Sequence, residues 1–331
     1  HCGFTVDEEG RKMSKSLGNG VDPAEVMDKF GADVLRLWVS SVDYSQDVSI
    51  SEGILKQVSD AYRRFRNTFR FLLGSLDDFD DLEPVDRYMM ARTAQVLQQV
   101  EQAYAEYRFF QVYRVAYDFV NDLSAIYMDA GKDRLYSEAP DSPRRRAVQT
   151  VLMNILEVLV RVLAPILSFT CDEVWELYPP AMRGAEGRPE SVQLAGWPHR
   201  ADFAPALPDE EATQQVLDGF AVVLQARDVV TKALEDARTE KLIGKSQEAA
   251  VTVTAPPDVL DALRRFDAAV YEELFIVASV DLAEGAELAA EVAVAEGEKC
   301  PRCWNIRTLG LDPAHPDVCE RCAAVLEAIG K

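Results

Sequence analysis

Apolar residues recur at helical spacing along most of the chain. From Ile54 they follow a period of about 3.6 residues, which places them on one side of a helix: Val58, Ala61, Tyr62, Phe65, Phe69, Leu72, Leu73 and Leu76. Three further stretches with this period cover residues 84–105, 108–129 and 143–164, and a shorter one ends near Trp175. Helices of this kind that are joined by short loops pack side by side, so the pattern predicts an antiparallel helical bundle.

Two short helices are predicted ahead of the bundle. Residues 22–25 supply an N-cap aspartate, a proline in the first turn and the glutamate of a capping box, so a helix begins there. Gly31 ends this helix, and residues 32–40 form a second one with apolar residues at core spacing. Together with the polar loop before them, these helices predict a compact subdomain over residues 1–50.

The pattern changes near residue 209, after a Pro- and Gly-rich segment. A helix up to Thr239 precedes a β-branched run at residues 251–254, a helix near 258–274 and strand-like segments at 276–282 and 288–295. Helices and strands in this order predict a small α/β module. The predicted fold is therefore mainly α, in four parts: the subdomain at residues 1–50, the helical bundle at 51–208, the α/β module at 209–295 and a cysteine-bearing tail at 296–331.

Composition is typical of a globular protein with more than one domain. The chain has 331 residues, 48% of them hydrophobic and 27% charged, a balance that allows two or three hydrophobic cores. No run of about 18 apolar residues occurs, and the first residues lack the pattern of a signal peptide. The sequence therefore predicts a cytoplasmic protein without membrane contact. Because the chain does not begin with Met, we also expect position 1 to be an internal point of a longer polypeptide.

Net charge limits the partners that the chain can bind. A formal charge of −21 repels phosphate on average and disfavours non-specific coating of nucleic acid. Two arginine clusters are local exceptions, namely Arg63, Arg64, Arg66 and Arg70 in the first bundle helix, and Arg144, Arg145 and Arg146. Either cluster could meet a phosphate backbone, and the alternative for each is a solvated helix face.

Four cysteines near the end of the chain have the spacing of a structural metal site. Cys300 and Cys303 are separated by two residues, fifteen residues follow, and Cys319 and Cys322 repeat the two-residue spacing. Paired C-x2-C segments of this kind hold one zinc ion through four thiolates, which leaves no position for a catalytic water. Disulfides are the alternative, and a cytoplasmic location disfavours them. We expect zinc removal to unfold only the tail.

A short loop near the start carries two lysines. The segment runs Lys12, Met13, Ser14, Lys15 and Ser16, and glycines lie on either side of it. Two ammonium groups on one such loop can bind a polyphosphate and stabilise the charge that develops on a leaving pyrophosphate. Taken as composition alone, a five-residue basic loop is most often a solvated turn.

The pentapeptide is identical to the KMSKS signature of class I aminoacyl-tRNA synthetases. Residues 31–38, which read GADVLRLW, resemble the stretch that follows the signature in the isoleucyl, valyl and leucyl enzymes. Further segments make the chain most similar to the isoleucyl family: residues 35–39, 43–44, 47–51, 62–68, 164–170, 172–175, 191–192, 197–198, 237–238, 241–246 and 299–304. The resemblance implies that the bundle is an anticodon-binding domain and that the chain is roughly the C-terminal third of such an enzyme.

Two features refine the resemblance. Valyl enzymes typically end in a coiled-coil arm, for which the chain has no heptad repeat, whereas bacterial isoleucyl enzymes end in a zinc-binding tail. Cys2 occupies a position where family members commonly have histidine, so the role of that histidine does not transfer. The HIGH motif, the isoleucine pocket and the editing domain are expected before residue 1.

The resemblance also implies a reaction and its residues. Isoleucine attacks the α-phosphate of ATP, bound with Mg²⁺, and the adenylate then passes isoleucine to tRNA(Ile). Lys12 and Lys15 are the expected catalytic residues that hold the triphosphate, with Ser14, Ser16 and Asn19 as supporting donors to ATP. The alternative for these three residues is that they only cap the loop.

The tail is expected to take part in tRNA binding. Trp304 and Arg302 have the character of a residue pair that contacts an RNA base, while packing of the tryptophan over the sulfurs is the alternative. The family implies a monomer with one zinc ion per chain. Three other functions stay open: a non-catalytic tRNA-binding module, which the chain alone is expected to be, a part of a valyl-type synthetase, and a zinc-ribbon scaffold unrelated to tRNA.

Overall fold

Helices make up most of the described chain, which confirms the mainly α prediction. The computed structural model describes residues 2–14, 16–74, 82–179, 187–203, 207 and 209–330. The chain divides into two compact units. The first comprises residues 1–76, 93–122 and 152–208, and the second comprises residues 77–92, 123–151 and 209–331.

The secondary structure alternates long helices with short strands. In chain order the helices are α1 Pro23–Phe30, α2 Ala32–Ser41, α3 Glu52–Leu73, α4 Pro84–Ala105, α5 Phe109–Asp122, α6 Asp129–Ser137, α7 Pro143–Leu163, α8 Ser168–Glu176, α9 Arg200–Phe203, α10 Glu210–Thr239, α11 Pro257–Leu263, α12 Ala268–Phe275 and α13 Glu320–Ala328. The strands are β1 Thr5–Val6, β2 Val48–Ser49, β3 Ala249–Ala255, β4 Ser279–Glu284, β5 Ala289–Val294, β6 Glu298–Lys299 and β7 Ile306–Arg307. Among the described residues, no helix is both long enough and apolar enough to cross a membrane.

Side-chain caps fix where the first helices begin. Asp22 accepts a hydrogen bond from the Ala24 amide over 2.8 Å, and Ser51 accepts one from the Ile54 amide over 3.2 Å. These bonds satisfy amides that have no partner inside the helix. Gly31 ends α1 with φ 93°, a conformation that L side chains rarely adopt. The two predicted short helices are therefore present.

In the first unit, α2 is the central element. It packs against α1, α3, α5 and α8, and Leu37 is fully buried there. Asp33 of α2 caps α8, because its carboxylate accepts hydrogen bonds from the Thr170 amide over 2.7 Å and the Thr170 hydroxyl over 2.6 Å. Arg36 donates to the carbonyl of Ile166 over 2.8 Å. These polar contacts join α2 to α8 and to Ile166, just ahead of it, in the first unit.

The second unit contains the α/β module. Its sheet has the order β4-β3-β5, with β3 parallel to β4 and antiparallel to β5. Val251 and Val253 alternate with half-buried threonines along β3, so one face of the strand joins the core. Helices α10, α11 and α12 pack against this sheet.

Two of the predicted helices are interrupted in the structure. The helix predicted over residues 108–129 passes through a π-helical turn at Leu123–Met128 and then continues as α6. The helix predicted near 258–274 is two helices, α11 and α12, with a break between them. Ile276 caps α12 in the left-handed conformation, with φ 58°, so the strand predicted from 276 begins at Ser279.

Candidate functional site

The lysine loop is closed by a clasp between Asp7 and Asn19. Asn19 Nδ2 donates to Asp7 Oδ2 over 2.8 Å, and the main-chain N–H and Nε of Arg11 donate to the same carboxylate over 2.8 and 2.9 Å. The Asn19 hydrogen bond is the main cause that lowers the pKa of Asp7 to about 2. Asp7 is therefore ionised at neutral pH and accepts hydrogen bonds from both ends of the loop.

Asn19 also contacts the first serine of the loop, Ser14. Its Oδ1 accepts from the Ser14 amide over 2.9 Å, so one side chain bridges Ser14 and Asp7. The hydroxyl oxygens of Ser14 and Ser16 lie 3.1 Å apart, and the Leu17 amide donates to Ser14 Oγ over 3.3 Å. These contacts hold the loop in shape, which is the role that the sequence left open for the three residues.

The two lysines differ in what the structure describes. The Lys12 ammonium lies 3.9 Å from the centroid of the Phe4 ring, and its side chain is exposed. Lys15 lies outside the described residues. Because an ammonium group over an aromatic face is held only weakly at an exposed position, Lys12 can exchange Phe4 for an anionic ligand.

The four cysteines of the tail converge on one point. Their Sγ atoms all lie within 4.8 Å of one another, and the Sγ atoms of Cys303 and Cys319 are 3.8 Å apart. All four side chains are buried, and Val318, Ala323, Leu309 and Leu326 pack around them. Four zinc–sulfur bonds of about 2.3 Å in a tetrahedron require sulfur–sulfur distances of about 3.8 Å. The donor set and its spacing therefore fit one Zn²⁺ ion with a closed coordination sphere.

A tight hairpin presents the first cysteine pair. Strands β6 and β7 pair in antiparallel fashion, with Lys299 opposite Ile306. Gly297 precedes the hairpin with φ 123°, and a Cβ there would lie 2.9 Å from the Arg307 carbonyl oxygen, so only glycine fits. Trp304 completes the turn with φ 65°, and its amide donates to the Cys300 carbonyl over 2.8 Å.

The thiols share their protons unevenly. A hydrogen bond from the Cys322 thiol is the main cause that lowers the pKa of Cys303 to about 4, while burial raises the pKa of Cys319. The lowered pKa favours the thiolate form of Cys303, which is the form that binds a metal ion. A divalent cation would favour the thiolate form of the other three cysteines in the same way.

Trp304 is exposed beside the metal centre. Its side chain is 58% exposed, and the Nζ atoms of Lys245 and Lys299 lie 5.9 and 5.8 Å from the ring centroid. The ring lines a cavity of about 1150 Å³ in the second unit, together with Tyr136, which is 69% exposed. This arrangement of aromatic rings and cations suits bases and phosphates of a single-stranded nucleic acid.

Arg302 has protein partners. Its Nη1 donates to the Ser137 carbonyl at the end of α6 and also contacts Cys322 Sγ at 3.5 Å. Arg321, between the second pair of cysteines, donates through both terminal nitrogens to the Asp133 carboxylate. Sequence reasoning missed Arg321 and Asp133, because they are 188 positions apart and the C-x2-C spacing around Arg321 does not indicate which acid it pairs with.

Arg144, from the second arginine cluster, also pairs with side chains of the protein. Arg144 Nε donates to Glu83 over 2.7 Å, and Arg144 Nη2 donates to Glu273 over 2.8 Å. Glu273 Oε1 also lies 2.8 Å from Arg134 Nη2. Arg144 therefore belongs to a network of ion pairs inside the second unit.

Three models of known protein families match three successive parts of the chain. Residues 1–51 match tRNA synthetases class I (I, L, M and V), and residues 297–325 match the zinc finger found in FPG and IleRS. Residues 86–253, half of the chain, match the anticodon-binding domain of tRNA ligase. The chain belongs to this family of tRNA ligases, and its cofactor is zinc.

Within that family the chain is similar to isoleucine–tRNA ligases. It is 45% identical to the enzyme of Symbiobacterium thermophilum and 47% identical to that of Geobacillus kaustophilus, over 98% of this chain and 36% of each relative. The chain therefore spans about a third of the length of these relatives. Among solved structures, a ternary complex of Agrobacterium radiobacter K84 LeuRS with tRNA and LeuAMS has a TM-score of 0.46 at 18% identity, covering 77% of this chain and 25% of that one.

Proposed function

We propose that this chain is part of an isoleucine–tRNA ligase, which attaches isoleucine to tRNA(Ile) at the expense of ATP. The buried four-cysteine centre, at the position of the zinc finger shared with IleRS, is the observation that carries the proposal. A valyl-type synthetase is the alternative, and this centre favours the isoleucyl type. The identities of about 45% with isoleucine–tRNA ligases support the same choice.

The lysine loop would act in the first step of the reaction. The isoleucine carboxylate attacks the α-phosphate of ATP, the bond to the β-phosphate breaks, and pyrophosphate leaves with its charge shared by Mg²⁺. We assign Lys12 and Lys15 to the leaving phosphates, because charge grows there as the bond breaks. Ser14, Ser16 and Asn19 would support ATP binding by keeping the loop in shape, as the Asn19 bridge suggests.

The cysteine-bearing tail would contribute to recognition of tRNA. Trp304 is the proposed stacking residue, with Lys245 and Lys299 close enough to meet adjacent phosphates. Arg302, whose Nη1 bonds to protein atoms, is the proposed basic partner of Trp304 in RNA binding. Zinc, held by Cys300, Cys303, Cys319 and Cys322, would keep this turn folded and take no part in the chemistry.

Three further parts of the proposal concern organisation. The division into a KMSKS-bearing subdomain at residues 1–50, an anticodon-binding bundle at 51–208, an α/β module at 209–295 and a zinc-binding part at 296–331 stays a prediction. A monomer is proposed from the family, and so is a cytoplasmic location.

Binding of tRNA tests the proposal directly. We expect the 331-residue chain to bind a tRNA(Ile) transcript more tightly than a tRNA(Val) transcript, measured by fluorescence anisotropy at a fixed salt concentration. Trp304→Ala should weaken binding by the equivalent of about 1–3 kcal/mol, the usual contribution of one stacked base, and Trp304→Phe should retain most of it. Equal affinity for both transcripts, or no effect of Trp304→Ala in a protein that still binds zinc, would contradict the assignment.

A non-catalytic role for the chain alone is the second candidate. It is favoured by the extent of the match to the relatives, because the chain matches only 36% of the length of the relative from Symbiobacterium thermophilum. We expect no isoleucine-dependent pyrophosphate exchange from residues 1–331 and robust exchange from a full-length ligase that contains them. Pyrophosphate exchange by the chain alone would contradict its non-catalytic role.

A further inference from the structure

Each pair of cysteines carries an arginine, and both arginines contact the same helix. Arg302, between Cys300 and Cys303, donates to the Ser137 carbonyl in the last turn of α6. Arg321, between Cys319 and Cys322, donates to Asp133 one turn earlier on α6. The two halves of the metal centre are therefore attached to one helix at two points.

The contact between Arg321 and Asp133 is the stronger of the two. Both guanidinium Nη atoms point to the two carboxylate oxygens, with Nη2 at 2.9 Å from Oδ1. Both side chains are about one-third exposed, so water screens this pair only in part. Burial opposes ionisation of Asp133, yet Arg321 more than offsets it and keeps the pKa of Asp133 below its ordinary value. Arg321 also lies 3.6 Å from Glu138, which follows α6.

Helix α6 carries one wall of the cavity that Trp304 lines. That wall includes Asp133, Tyr136 and Ser137. The cysteine-bearing part contributes Arg302, Trp304 and Arg321 to the same cavity. The exposed rings of Tyr136 and Trp304 therefore face one cavity from two segments that are far apart in sequence. The arginine contacts join those two segments directly.

We propose that Arg321 and Asp133 form a positioning pair, which together with Arg302 Nη1 docks the metal centre on α6 and sets the geometry of the RNA-binding cavity. The inference rests on the proposed tRNA-binding function and adds to it Arg321 and Asp133, which do not themselves contact RNA. Their side chains act through Trp304 and Tyr136, because docking decides whether both rings reach the same ligand. Tyr136 thereby becomes a second aromatic contact for tRNA.

Salt dependence separates a positioning role from direct contact with RNA. We expect Arg321→Gln and Asp133→Asn each to weaken tRNA(Ile) binding by about tenfold, equivalent to about 1.4 kcal/mol. The slope of log affinity against log salt should stay the same, whereas loss of one phosphate contact lowers it by about one. Arg265→Gln removes an exposed positive charge from the same unit and serves as the matched control, with affinity near that of the unchanged chain.

Rescue and metal content complete the test. The exchanged pair Asp133→Arg with Arg321→Asp should bind tRNA more tightly than Arg321→Asp alone, and each variant should retain one zinc ion per chain by elemental analysis. Affinity that is unchanged in both single variants, a salt slope lowered by about one, or no rescue by the exchanged pair would each overturn the positioning role. If the unchanged chain does not bind tRNA(Ile) at all, the proposed function is wrong. If it binds but the variants do not behave as expected, only the positioning role is wrong.

Discussion

Arg134 and Asp86 form a bidentate ion pair in the interior of the second unit. Arg134 Nη1 donates to Asp86 Oδ2 over 2.9 Å and Nη2 donates to Oδ1 over 2.8 Å, and both side chains are fully buried. The Tyr127 hydroxyl, from the π-helical turn, donates to the same carboxylate over 2.6 Å. This group joins the start of α4 to α6 and to the turn between α5 and α6. Buried charges are tolerated at such a junction only while every member keeps its partner.

Loss of one partner should therefore be costly. Arg134→Met leaves Asp86 charged and unpaired in the interior, and we expect it to lower the free energy of unfolding by about 3–5 kcal/mol. Urea denaturation followed by circular dichroism measures the change. The double variant Arg134→Met with Asp86→Leu removes both charges and should recover part of the loss. A single variant as stable as the unchanged chain would contradict the role of the pair.

Glu273 makes the stability of this unit depend on pH. Burial, reinforced by the charges of Asp86 and Glu83, raises its pKa from 4.5 to about 7, although Arg134 and Arg144 act in the opposite direction. Between pH 4.5 and 7 the folded chain retains a proton that the unfolded chain has already released. The contribution of Glu273 to stability therefore decreases as pH rises through this range.

The matched variant isolates this carboxyl group. Glu273→Gln has no proton to release, so its melting temperature should fall less than that of the unchanged chain between pH 5 and pH 7. Differential scanning calorimetry at three pH values in that range gives the comparison. Identical pH profiles for the two proteins would show that Glu273 titrates near its ordinary pKa.

The unfolding caused by zinc removal should extend beyond the tail. Cys322→Ser removes one of four ligands, and we expect less than one zinc ion per chain and loss of protection from amide exchange around residues 298–328. Because Arg302 and Arg321 bind α6, exchange should also accelerate at Ser137 and its neighbours. The expectation from the sequence was unfolding of the tail alone. Unchanged exchange in α6 of the metal-free chain would restore that simpler view.

The clasp between Asp7 and Asn19 should control access to the lysine loop. Asn19→Ala removes the acceptor for the Ser14 amide and the main donor to Asp7, so the loop should open more often. Trypsin should then cleave after Lys12 and Lys15 several-fold faster, as followed by mass spectrometry. Asn67→Ala, an exposed substitution on α3, is the control and should leave the rate unchanged.

Features determined by short stretches of sequence were predictable. The bounds of α4 match the apolar period, and α1 begins at the predicted cap, because helix starts depend on neighbouring residues. The four cysteines were recognisable for the same reason, since two C-x2-C segments carry their own ligand geometry. The break at residues 264–267 was not predictable from periodicity, because apolar spacing continues across it.

By itself, the sequence determined the helices, the metal ligands and the signature loop, because each depends on residues within a few turns of one another. Only the tertiary structure decided which charges meet. Arg134 pairs with Asp86 across 48 positions and Arg321 with Asp133 across 188, and no local pattern selects those partners from the many acids in a chain of net charge −21. The packing of helices brings particular side chains within hydrogen-bonding distance and excludes water from them, which makes a few of these pairs strong.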